Sequence, residues 1–337
     1  MTRQKFFPLG CLVIASFLIL IGVTAVSANA QSSPQGKTWR LGFLTPGTDV
    51  TRPGSVRKTT LQELSDRGFS EGRNLVYLPA AAEGNLARLP ELARMLAQQR
   101  ADVIIVVGTH AARAAMAANP NTPIVFSFSG EDPVREGFAI SLARPGGSIT
   151  GIFFRGIETD AKRLELLSEA LPNARVLGFL AAPTLEPDRT ELLARTAAKL
   201  GISLKTIVVY SPADYASAFE AFHADGSAGV LVMGSTIFAN DAANFSRLAT
   251  ERGMATICEW DYMAHAGCML AFGPDLVSLR RLTGDYVARI FNGLNPAEIP
   301  IQQPDRFTLT VNRRIVNQLK LQLSTVFLAR VDEEVNE

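Results

Sequence analysis

The sequence predicts an α/β protein built from two doubly wound parallel-sheet lobes, joined by a hinge that the chain crosses several times. Three observations carry this expectation. Short apolar runs such as DVIIVV (102–107) and PIVFSF (123–128) alternate with helix-length stretches. The runs are nearly continuous in Val, Ile and Phe, as parallel strands covered on both faces require. The alternation restarts near residue 149, and a strand, a helix and a further strand follow late in the chain.

The elements read in order. RLGFL (40–44) is a strand and SVRKTTLQELSDRG (55–68) a helix. NLVYLPA (74–80) is strand-like, and NLARLPELARMLAQQ (85–99) is helix-like. After DVIIVV come a helix, THAARAAMAAN (109–119), and the strand PIVFSF. The second set begins with SITGIFF (148–154) and the helix ETDAKRLELLSEALP (158–172), where Leu164, Leu167 and Leu171 share a side. VLGFLA, SLKTIVVY, AGVLVMG and MATIC are strands, separated by helices, with TIFANDAANFSRLATERG (236–253) read as one long helix.

The tail decides how the lobes connect. CMLAFG (268–273) is a strand and DLVSLRRLTGDYVARIFNG (275–293) a helix. A proline-rich passage leads to RFTLTVN (306–312) and a last helical segment. These pieces are too few for a third domain, so they cross back to the first lobe and return. The boundaries expected are 38–148 plus 269–295 for the N-terminal lobe and 149–268 plus 300–330 for the C-terminal lobe.

The chain has 337 residues, of which 47% are hydrophobic and 19% charged, so a large core is expected and disorder is not. A formal net charge of +1 with no basic run gives no case for nucleic acid. Residues 1–30 read as a secretory signal: Arg3 and Lys5, then an apolar run, then Ala28-Asn29-Ala30 as a cleavage site before Gln31. An uncleaved anchor is the competing reading. Loss of Arg3 and Lys5 takes the formal charge from +1 to −1. Cys258 and Cys268 then face an oxidising compartment, where a disulfide is permitted. Two cysteines outside a repeated pattern read first as unpaired packing residues. With His265 they lack the spacing and fourth ligand of a metal site, and neither a metal nor a cofactor is expected.

In open parallel sheets, ligands bind beyond the carboxyl ends of the strands, where helix N-termini also attract anions. In the first lobe those ends carry Thr45, Gly108, Thr109, His110, Ser127, Ser129 and Asp132. In the second they carry Thr184, Ser235, Thr236, Glu259 and Trp260. Thr109 can cap its helix or bind a carboxylate, and Asp132 can take an ammonium or hydroxyl group. Trp260 can cover an apolar part of a ligand or pack between lobes. Gly-Thr before a helix and Asp-Pro in a turn are also ordinary structural chemistry. No G-x-S-x-G elbow, phosphate loop or metal pair is present, so an enzyme is not expected.

The stretch GEDPVREGFAISLARPGGSITGI (130–152) resembles one family of ABC-transporter substrate-binding proteins, which carry G-D-P-V followed by S-L-A-R-P-G-G-N-I-T-G. The resemblance extends to GTHAA, KRLELLSEALP, AFGPDL, FTLTVN and LARVDEEV. It implies the type I periplasmic-binding fold with three hinge crossings. It further implies capture of a small solute for a permease in the inner membrane, in a periplasmic protein expected to be a monomer. Some similar proteins are associated with aromatic amino acids. The resemblance makes Thr109, Ser127 or Ser129, and Asp132 the first-lobe ligand candidates. The sequence departs from the pattern at Glu131, where Gly is usual, at Pro183, where the family often has Asn-Pro, and at Cys268. A sensor that signals through a membrane partner is the alternative reading.

Overall fold

The computed structural model describes residues 36–49 and 54–336. The segment read as a signal, with Arg3, Lys5 and Ala28-Asn29-Ala30, lies outside the described residues. The first sheet has five strands in the order β2-β1-β3-β4-β5. They are β1 (Trp39–Thr45), β2 (Leu75–Ala81), β3 (Val103–Val107), β4 (Ile124–Ser129) and β5 (Ile149–Phe153), all paired in parallel. Three helices connect them: α1 (Leu61–Asp66), α2 (Leu89–Gln98) and α3 (Gly108–Ala118). β3 is buried along its whole length, which is why its five residues are all Val and Ile.

The second lobe holds helices α4 (Gly156–Ala170), α5 (Pro187–Leu200), α6 (Tyr215–Ala224), α7 (Thr236–Ala239), α8 (Ala242–Glu251) and α9 (Asp261–His265). Its seven strands are β6 (Val176–Ala181), β7 (Ser203–Val208), β8 (Gly229–Val232), β9 (Ala255–Cys258), β10 (Leu270–Pro274), β11 (Phe307–Asn312) and β12 (Glu333–Val335). They lie in the order β12-β11-β10-β9-β8-β6-β7. β11 runs antiparallel to β10, the one reversal in an otherwise parallel sheet. The predicted long helix over 236–253 is broken at Asn240-Asp241. Tyr215 donates its hydroxyl to Asp241 at 3.3 Å, and the Asn240 amide donates to Thr48 Oγ1 in the first lobe at 2.8 Å. These side-chain contacts hold a turn that the helical periodicity does not reveal.

Two lobe boundaries differ from the expectation. SITGIFF does not begin the second lobe. It forms β5, pairing Ile149 with Ile124 and Gly151 with Phe126, and so closes the first sheet. CMLAFG does not return to the first lobe. It forms β10, pairing Leu270 with Ile257 beside β9. Only the helix after it returns. Helix α10 (Leu276–Phe291) packs Tyr286, Val287 and Phe291 into the first lobe's core with Leu41, Phe69 and Val103. The chain therefore crosses between lobes three times: after β5, between β10 and α10, and between α10 and β11. The third crossing is bonded to the first. Gln302 donates its amide to the Gly151 carbonyl at 3.0 Å, and Phe153 donates back to Gln302 at 2.9 Å.

Cys258 and Cys268 form a disulfide, against their reading as unpaired packing residues. Their Cα atoms stand 6.3 Å apart because β9 and β10 are adjacent in the sheet, a proximity that spacing alone does not show. Closing so short a loop restricts the unfolded chain by about 2–3 kcal/mol. The double replacement C258S/C268S is expected to lower unfolding free energy by that amount. Urea titration of the oxidised wild type against the variant measures it, and equal midpoints would show that the bridge contributes nothing.

Candidate functional site

The carboxyl ends of both sheets face one cleft of about 180 Å³. From the first lobe Thr45, Gly108, Thr109 and His110 line it, and from the second lobe Thr184, Ser235, Glu259 and Trp260 do. Parallel strand polarity brings these sequence-distant positions together. Thr236 is the first residue of α7, next to Ser235. Gly108 has φ +73, a left-handed conformation that lets the chain turn directly from β3 into α3.

Three first-lobe candidates stand elsewhere. Ser127 is fully buried under α10, 3.2 Å from Thr283 Oγ1 and bonded by the Arg280 guanidinium. Ser129 is buried, and its hydroxyl donates to the Glu131 carbonyl at 2.9 Å. Asp132 lies in a separate outer recess with Arg135, Glu136, Glu186 and Asp188, and its carboxylate accepts from the Val134 amide at 2.9 Å. Those are the bonds of an Asx turn leading into Pro133. Asp132→Ala is therefore expected to cost about 0.5–1.5 kcal/mol of stability and leave solute affinity unchanged. Calorimetry paired with thermal melting checks this, and a lost affinity at normal melting would return Asp132 to the site.

Phe128, between Ser127 and Ser129 in the strand end singled out by the sequence, lines the cleft, and several further cleft residues were not among the sequence candidates: Phe43, Asp49, Glu131, Phe154, Arg189 and Arg280. Phe128, Phe154 and Trp260 form an aromatic trio across the lobes, with Phe128 and Trp260 centroids 5.1 Å apart. Arg280 comes from α10, on the returning crossing. It lies over the Phe128 ring at 5.2 Å and donates its Nε to the Gly54 carbonyl at 3.2 Å. No local motif marks Arg280, because the late crossing alone carries it into the first lobe. Asp49 accepts the Tyr77 hydroxyl at 3.0 Å.

Beneath the second-lobe wall lies a buried ionic network. Asp160, 0% exposed, accepts from both Arg163 and Arg189. Arg189 also donates its Nε to Glu186 at 2.8 Å. Arg163 Nη2 is 3.9 Å from Glu259, and its Nε and Nη1 have no hydrogen-bond partner. Burial pushes the Glu259 carboxyl up, while Arg163 and Arg189 pull it back. Burial, reinforced by the charges of Glu131, Glu136 and Asp188, pushes Glu186 up to about 7. The lobes also meet at the cleft edges. Arg135 pairs with Asp188 at 2.8 Å on one side, and Asn240 bonds Thr48 on the other.

Such a cleft offers donors, acceptors, both charges and an aromatic face to one small molecule. Known proteins share this fold. A conserved domain protein from Vibrio cholerae is 26% identical, with a TM-score of 0.80 over 88% of this chain and all of that one. The L-Trp complex of an ABC domain from Streptococcus pneumoniae is 18% identical, with a TM-score of 0.78 over 89% of this chain and all of that one. A tyrosine-binding protein of Clostridioides difficile is 22% identical over 79% of this chain and 77% of its own length. Residues 52–335 match the family described as ABC transporter substrate binding protein, and with the two-lobed type I periplasmic-binding architecture the chain belongs to that family.

Proposed function

We propose that this chain is an extracytoplasmic solute-binding protein that captures one amino-acid-like molecule between its lobes and delivers it to an ABC permease of the inner membrane. The observation that carries the reading is the convergence of seven polar or aromatic strand-end positions and Gly108, from two sheets, on one cleft backed by Phe128, Phe154 and Trp260. A flat apolar body fits that aromatic trio, and a polar head fits the strand ends. The L-Trp complex and the tyrosine-binding relative support an aromatic side chain. Lobe closure delivers a signal only if the solute binds the closed form more tightly. Mass spectrometry of the molecule released from purified, denatured protein tests the reading, and small-angle scattering should report a more compact particle once it is added back. A radius unchanged at saturation would remove closure from the account.

Export belongs to the same proposal. The A-x-A site and the apolar run before it support cleavage after Ala30. Among the described residues no helix is long and apolar enough to cross a membrane. N-terminal sequencing of the envelope protein should begin at Gln31. A product that keeps Met1 and stays with the membrane would replace cleavage by anchoring. The protein acts as a monomer without a cofactor in this reading.

A further inference from the structure

Helix α3 opens into the cleft at Gly108-Thr109-His110, and a helix start favours an anion there. The chain places a carboxylate of its own beside that helix start. Thr109 Oγ1 donates to Glu131 Oε2 at 2.7 Å, and Ser129 Oγ reaches the same oxygen at 3.3 Å. The hydroxyl suited to hold a solute's carboxylate is already holding a side chain.

The two arginines on the cleft wall are engaged as well. Arg189 serves the carboxylates of Asp160 and Glu186. Arg280 serves the Gly54 carbonyl and Ser127 and lies over Phe128. Three carboxylates thus line the cavity, Asp49 and Glu131 from the first lobe and Glu259 from the second. Like charges so placed attract a cation and repel an anion.

We infer that Glu131 is a specificity-determining residue: it holds the Thr109 hydroxyl and puts a carboxylate beside the start of α3, so the solute presents an ammonium there and carries no carboxylate. The class is an aromatic monoamine, the decarboxylated counterpart of an aromatic amino acid. This rests on the amino-acid-like reading above and narrows it. Glu131 acts twice, by attracting the ammonium and by denying Thr109 to a competing acid. Discrimination by an occupied site of the opposite kind is a repulsive element as well as an attractive one.

Calorimetry on the mature full-length chain tests this with tryptamine against tryptophan and tyramine against tyrosine. The wild type is expected to bind the better amine at least about tenfold more tightly than its amino acid. Glu131→Ala should weaken the amine about tenfold or more and strengthen the amino acid, because the Thr109 hydroxyl becomes free and the competing charge is gone. Glu131→Gln keeps the Thr109 bond without the charge, so it should weaken the amine with no gain for the amino acid. Thermal melts confirm that each variant folds. A wild type that binds tryptophan or tyrosine as tightly as the amine overturns the assignment while leaving solute capture standing. So does an amine-to-acid ratio that Glu131→Ala leaves unchanged. If none of the four compounds binds any of the three proteins, the amino-acid-like reading falls and the assignment falls with it.

Discussion

Asp160→Ala is expected to destabilise the protein by about 3–5 kcal/mol, because it strands two buried guanidinium groups at once. Arg163 is 0% exposed and Arg189 is 3% exposed, and both bond to this carboxylate. Arg163 already has two nitrogens without partners, so its one hydrogen-bonded acceptor among the described residues would be lost and Glu259 would remain at 3.9 Å. Burial lowers the affinity of both arginines for their protons, and desolvation is the first cause in each case. Urea titration should show a lower midpoint with an unchanged slope. Asp160→Asn keeps an acceptor for each arginine and should cost less. A midpoint shift below about 1 kcal/mol for Asp160→Ala would mean that water replaces the carboxylate and that the network is not a stability hub. Solute affinity should fall alongside stability, since Arg189 lines the cleft and Asp160 sets its position.

Gly151→Ala is expected to cost about 3 kcal/mol or more. Gly151 has φ +128, a conformation in which a side chain is strained. A Cβ there would also run into the carbonyl oxygen and amide nitrogen of Phe126 in the neighbouring strand. Backbone on both sides cannot yield as a flexible side chain would. The same residue accepts the Gln302 amide, so the change loosens the contact between the first and third crossings. Poor expression or a sharply lowered melting temperature is the expected outcome. Gly147→Ala, with open space around its Cβ position, is the matched control and should melt near the wild type.

The sheets were legible because their strands are apolar throughout, as in VIIVV and VLGFLA, and such runs need two covered faces. The lobe membership of β5 and β10 was not legible. Each strand's own residues suit either sheet, and the partner that decides is far away or across a disulfide. The site followed the same division. Thr45, Thr109, Glu259 and Trp260 were readable because strand polarity alone sends strand ends to one side. Ser127 misled because it sits one residue from the cleft-lining Phe128, and the alternation of a strand turns neighbours to opposite faces. Arg280 was missed because nothing local distinguishes it from the other arginine in LRRL; only the path of α10 does.

That path also bears on the order in which the protein folds. Trp39, at the start of β1, stacks on Phe291 with centroids 4.4 Å apart, and Phe69 meets the same ring at 5.1 Å. The first lobe's apolar face is therefore finished by residues made after the whole second-lobe strand series from β6 to β10. During synthesis the early strands wait with that face open, and the pairing that closes it is among the longest-range in the chain. A fragment ending before α10 should stay aggregation-prone instead of folding as a free-standing half. Under the export proposed above, this delay has a use: it keeps the polypeptide loose until nearly all of it has been made.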